Sequence, residues 1–159
     1  MLPRPRPAPR RALRPAVLLL VALLGAGVAG PALADQRKIA SASGVALAGR
    51  DAVAYFADGR AVAGSADHAL KWRGAVWFFA TGNNLSTFEM NPSAYAPRYG
   101  GHCPESVIAG DPRPGNPDLF VIREGRLYLA KSREAMARIM QDPGLIAQAD
   151  AAWKKLRER

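Results

Sequence analysis

The chain has a single cysteine, Cys103, in 159 residues. No disulfide can form within it, so its stability must come from its core. Histidine is nearly as scarce: His68 and His102 are the two present, and with one cysteine they argue against an all-protein tetrahedral zinc site. No apolar run reaches the roughly 20 residues that span a bilayer. No glycine loop is built to cradle a phosphate, and no basic stripe with interleaved aromatics tracks a nucleic acid. A nucleotide cofactor and a nucleic-acid partner are therefore not expected. The carboxylates Asp51, Asp58 and Asp67 fall on or near turns, where they read as solvated or capping groups and not as an acid–base pair. After Asp35 there is no evident repeat and no low-complexity stretch.

What is present begins with a leader. Arg4, Arg6, Arg10, Arg11 and Arg14 precede an apolar run from Ala16 to Gly30, with no acid among them. Pro31 breaks the run, and Ala32-Leu33-Ala34 supplies the small residues that a signal peptidase needs. The pattern predicts a cleavable signal over residues 1–34, an uncleaved anchor being the alternative, and a periplasmic or secreted domain over residues 35–159 with no transmembrane segment after cleavage. Intact-mass measurement of exported material should show a chain that starts at Asp35; a full-length, membrane-retained species would overturn this. The leader also carries five of the basic charges. The formal charge of +9 thus falls to +4, with 17 basic and 13 acidic residues left, four of the basic ones being Lys154, Lys155, Arg157 and Arg159. The 125 residues from Asp35 onward suit one domain with one core.

Periodicity gives an α+β class: one small domain of short antiparallel β-hairpins with peripheral helices. Ala52 to Phe56 reads as a strand ended by Ala57-Asp58-Gly59. His68 to Phe79 reads as a hairpin turning at Gly74, and Phe120-Val121-Ile122 with Leu127-Tyr128-Leu129 as a second one joined through Glu124-Gly125. Asn83 or Asn84 is the expected cap of a brief helix that places Leu85 and Phe88 on one face and stops at Asn91-Pro92. Two helices close the chain. One, from Ser132, turns Met136, Ile139 and Met140 inward; the other, capped at Asp142-Pro143, carries a stripe of Leu145, Ala149, Trp153 and Leu156. Trp72, Trp77, Phe78 and Trp153 are the aromatics expected to supply much of the core.

Chemistry-bearing residues concentrate between Tyr95 and Ser106. Gly100-Gly101 implies positive φ or a close backbone approach, and Pro104 fits the first position of a helix, which makes Cys103 its cap residue. A thiol there, with Arg98 and His102 nearby in sequence, is placed for thiolate stabilisation. The plainer reading is that a free cysteine at a helix start fills the core, that His102 is a hydrogen-bonded structural residue, and that Tyr95 and Tyr99 are core or pocket walls.

The segments Gly49-Arg50-Asp51-Ala52-Val53-Ala54-Tyr55-Phe56, Trp72 to Phe79, Asn91 to Cys103 and Gly125-Arg126-Leu127-Tyr128-Leu129 together resemble the exported YHS-domain family, some of whose members are selenoproteins. The likeness runs in order from about Ala46 to Leu156, with Ala52 standing where the family's motif usually continues with proline. The residue aligned with Cys103 can be selenocysteine in that family, which implies a reactive or metal-binding chalcogen at this position, and related metal-handling domains imply a soft metal. Three functional classes follow. In the first, Cys103 binds copper as Cu(I), or another soft metal, with His102 or Met90 as partner ligand, and a metal donor or acceptor protein is the partner. In the second, Cys103 does monothiol redox chemistry, since Ser106 stands where a dithiol motif has its resolving cysteine. The third is a non-catalytic interaction module, in which Tyr99, Gly100, Gly101 and Arg98 shape the turn and the cysteine packs. An enzyme is the less favoured outcome.

Overall fold

The computed structural model describes residues 39–158. The expected leader and its cleavage point lie outside the described residues. The fold is α+β: two small sheets with helices around them. Strands β1 (Ser41–Ala42), β2 (Val45–Ala46), β3 (Ser65–Trp72) and β4 (Ala75–Phe79) form the first sheet in the order β1-β2-β4-β3. Its pairs are antiparallel except β2 with β4, which meet in parallel at Val45 and Val76. Strands β5 (Asn116–Arg123) and β6 (Arg126–Ala130) form the second sheet. The helices are α1 (Ala54–Ala57), α2 (Gly82–Met90), α3 (Pro92–Tyr95), α4 (Pro104–Ile108), α5 (Arg133–Gln141) and α6 (Pro143–Arg157). None of the described helices is long and apolar enough to cross a membrane.

The expectation of no repeat is overturned by the backbone. Hairpin β3–β4 followed by α2 and hairpin β5–β6 followed by α5 have strands of 8 and 5 residues and a helix of 9 in both cases. Each element starts at the same spacing of 51 residues, Ser65 to Asn116, Ala75 to Arg126 and Gly82 to Arg133. The turns match as well: Arg73-Gly74 and Glu124-Gly125 all have positive φ, from 47° to 78°, the twist that two-residue hairpin loops require. Thr81 caps α2 from its side chain and Ser132 caps α5, while Asn91-Pro92 and Asp142-Pro143 end one helix and start the next. Gly64 and Gly115 enter the hairpins where a Cβ would overlap Phe78 and Leu129 respectively. The two units share these turn and cap residues but little of the sequence between them.

Strand β6 divides the interior. Leu127 and Leu129 face a first core with Tyr55, Trp77, Phe79 and Phe88. The alternate residues Tyr128 and Ala130 face a second core with Tyr99, Cys103, Val107, Ile139 and Leu145.

Several local expectations are corrected. Ala52 to Phe56 is not a strand: Asp51 Oδ1 accepts hydrogen bonds from Val53 N at 2.8 Å and Ala54 N at 3.3 Å, so its carboxylate starts a helix there. Thr81, not an asparagine, caps α2, accepting from Asn84 N at 3.1 Å, because the helix starts at Gly82 and places Asn83 and Asn84 inside its first turn. In β4 the pleat turns Ala75, Trp77 and Phe79 inward and leaves Phe78 half-buried on the opposite face. Trp72 and Trp153 pack against the two cores while keeping partial exposure. Met140 is exposed; the inward face of α5 carries Ala135 and Ile139, with Met136 half-buried beside them.

Candidate functional site

Tyr99, Gly100 and Gly101 have φ of 54°, 64° and 88° and reverse the chain just before Cys103. Gly101 is required for its φ of 88°, a conformation that L side chains rarely adopt, and not for want of space, since Pro97, Ala40 and Leu129 would meet a Cβ at ordinary contact distances. Pro104 opens α4 with Cys103 as the N-cap residue, as the spacing predicts, but the sulfur makes no capping hydrogen bond. It turns inward and is wholly buried (0 % exposed). The backbone holds the residue at both ends. Cys103 N donates to Arg113 O at 2.9 Å, and Cys103 O accepts from Ser106 N at 3.0 Å and Val107 N at 3.1 Å. Ser106, also buried, donates its hydroxyl to Cys103 O at 2.6 Å and accepts from Arg113 N at 2.9 Å, so it clamps the loop after α4 against the cysteine.

The same construction occurs 52 residues earlier. Leu47, Ala48 and Gly49 have φ of 54°, 48° and 79°. Asp51 N donates to Val62 O as Cys103 N does to Arg113 O, and Gly64 N to Gly49 O as Gly115 N does to Gly101 O. Asp51 is thus the counterpart of Cys103, and it too is 0 % exposed. Besides the start of α1, its Oδ2 accepts from Ala80 N at 2.8 Å and Asn84 Nδ2 at 2.7 Å. The carboxylate therefore joins α1, the end of β4 and α2. Sequence reading placed Asp51 at a solvated turn; the signal for its role is the parallel of Gly49-Arg50-Asp51 with Gly101-His102-Cys103.

The other proposed ligands do not converge on the sulfur. His102 and Cys103 are consecutive residues in extended backbone, with φ of −80° and −65°, which sends their side chains to opposite sides. His102 Nδ1 lies 2.7 Å from Tyr99 O, and its ring is 5.8 Å from that of Trp153. Met90 ends α2 with 80 % exposure. Among the described residues no group of three or more His, Cys, Asp or Glu could hold a metal ion.

Tyr99 and Arg98 belong to a polar joint with α6. Tyr99 OH donates to Asp150 Oδ1 at 3.0 Å, and Arg98 reaches the same oxygen at 2.6 Å. Burial, and then the charge of Asp150, push the Tyr99 phenol well above its ordinary pKa, so it stays a neutral donor. For Arg98, burial opposes the charge, but the hydrogen bond and charge of Asp150 outweigh it and raise the pKa. Beside this joint opens a groove of about 620 Å³, lined among others by Trp72, Arg73, Arg98, Arg126, Trp153 and Lys154. A cavity of about 230 Å³ adjoins it through Ser93, Ala96, Arg98 and Arg126. A third, of about 110 Å³, lies against Gly101, Gly115 and Leu129. Cys103 lines none of the three. Compared with protein-family models, with the curated proteins and with the solved structures, the chain matches none of them.

Proposed function

We propose that the chain is an exported, non-catalytic binding module of the YHS-domain kind, in which Cys103 is a packing residue. The observation that carries this reading is the burial of Cys103 in an apolar cluster, at the position that Asp51 fills in the first unit. A catalytic or metal-binding sulfur has to meet its substrate or ion, and this residue is wholly buried within the second core. Soft-metal binding, with Cu(I) on Cys103 and His102 or Met90 as second ligand, is the alternative proposal, supported by the family likeness; it requires the helix start to open. Monothiol redox chemistry at Cys103 requires the same opening.

Alkylation tests this reading. In the folded protein Cys103 should react at least about 100-fold more slowly than in denaturant, because reagent reaches it only through local unfolding. Cys103→Ser should lower stability by about 1–3 kcal/mol in a urea titration, since a hydroxyl replaces a thiol among apolar side chains. Fast alkylation of the folded protein that Cu(I) suppresses, with both lost in Cys103→Ser at unchanged stability, would establish the soft-metal reading instead. A stoichiometric mixed disulfide formed by the folded protein would establish the redox one.

A further inference from the structure

The groove beside Arg98 carries a charge pattern that the polar joint does not use. Arg73, Arg98, Arg126, Lys154 and Arg157 line it against only two acids, Asp150 and Glu158. Asp150 is committed to Arg98 and Tyr99. Among the described residues, Arg126 and Lys154 have no acidic partner, and the buried Nε of Arg98 has no acceptor. Two exposed cations without an acidic partner, lining one concavity, are placed to give charge-assisted hydrogen bonds to an incoming carboxylate. The walls add a second kind of contact. Trp153 presents a half-buried indole, which offers apolar area to the stem of a bound side chain, while the Trp72 ring is covered by the Arg73 guanidinium at 4.5 Å. A volume of about 620 Å³ is of the size that encloses a short segment of chain or a drug-sized molecule.

We propose that this groove binds an acidic peptide segment of a partner protein, its carboxylates taken by Arg98, Arg126 and Lys154 and its aliphatic parts lying on Trp153. The inference rests on the binding-module reading and supplies the partner's chemistry. An anionic membrane fits the same charges less well. The cations line a concavity and not a flat face, the acids Asp150 and Glu158 lie among them, and the exposed large apolar residues Met90, Ile108, Ile122 and Met140 are not part of the groove, so no fully exposed large aliphatic side chain stands ready to enter a bilayer there. A peptide with spaced carboxylates can meet the cations and pass the two acids.

The purified protein is titrated with an N-acetylated peptide amide of six glutamates, with a six-serine peptide and with phosphatidylserine vesicles, each followed by indole fluorescence. The glutamate peptide should give a saturable change that weakens as salt is raised, and the serine peptide none. Arg126→Ala and Lys154→Ala, both at exposed positions that leave the cores untouched, should each weaken glutamate binding about three- to tenfold, and Arg126→Glu by more. Absent binding, binding equal in wild type and Arg126→Glu, or binding of vesicles without peptide would each overturn the proposal. Any of these results with Cys103 still sheltered from alkylation removes the groove's role while leaving the binding-module reading in place.

Discussion

Asp51→Ala should remove a large share of the protein's stability and shift its urea midpoint well below that of wild type. Four donors, Val53 N, Ala54 N, Ala80 N and Asn84 Nδ2, point at this one buried carboxylate. Removing it deprives all four of their acceptor at once, and each buried group left unpaired costs about 1–3 kcal/mol. Water entering the gap recovers part of that, so a net loss of about 3–5 kcal/mol is expected, against a total of about 5–15 kcal/mol for a typical domain. Urea unfolding followed by circular dichroism measures it. A midpoint within the error of wild type would mean that the donors find other partners and that Asp51 is not the junction of α1, β4 and α2. Asp51→Asn should fall in between, because an amide oxygen can serve one side of the cradle while its NH₂ faces donors on the other.

Trp77→Ala should have an effect of the same size for a different reason. The indole is 1 % exposed and lies 5.0 Å from the Phe88 ring and 5.5 Å from that of Trp72, and its Nε1 donates to Trp72 O at 3.0 Å. Truncation opens a void that β4 and α2 cannot close, for which about 3–5 kcal/mol is usual. Trp153→Ala, at a half-buried position, should cost less than half as much. Denaturant midpoints of the two variants give the comparison, and equal losses would contradict the placement of Trp77 at the centre of the first core.

The fold class, both hairpin turns and the α6 stripe were legible because period and turn chemistry are local. Glu124-Gly125 announces a two-residue turn wherever it stands, and Leu145 and Ala149 share a helix face whatever packs on it. What could not be read locally was which residue wins a competition. Asp51 diverts Ala52 to Phe56 from strand to helix by capping backbone amides, and α2 starts early enough that Thr81, not an asparagine, is its cap. The repeat escaped for a related reason: it is written in positions such as Gly64 and Gly115, or Thr81 and Ser132, and not in the apolar residues between them. At the candidate site, the cap position of Cys103 was readable from Pro104, but its burial depends on a core that includes Tyr128 and Ile139, far away in sequence. The groove gathers residues from across nearly the whole described chain, and no spacing rule could have assembled it.

The alternation along β6 has a consequence for how the molecule comes apart. Leu127 and Leu129 belong to one interior and Tyr128 and Ala130 to the other, so this strand is a party wall. A wall of that kind cannot lose one room and keep the other: withdrawing Tyr128 from the helical side draws Leu127 and Leu129 out of the sheet side. The two look-alike halves are in this way bound to melt together, as a single cooperative unit, despite being built as two.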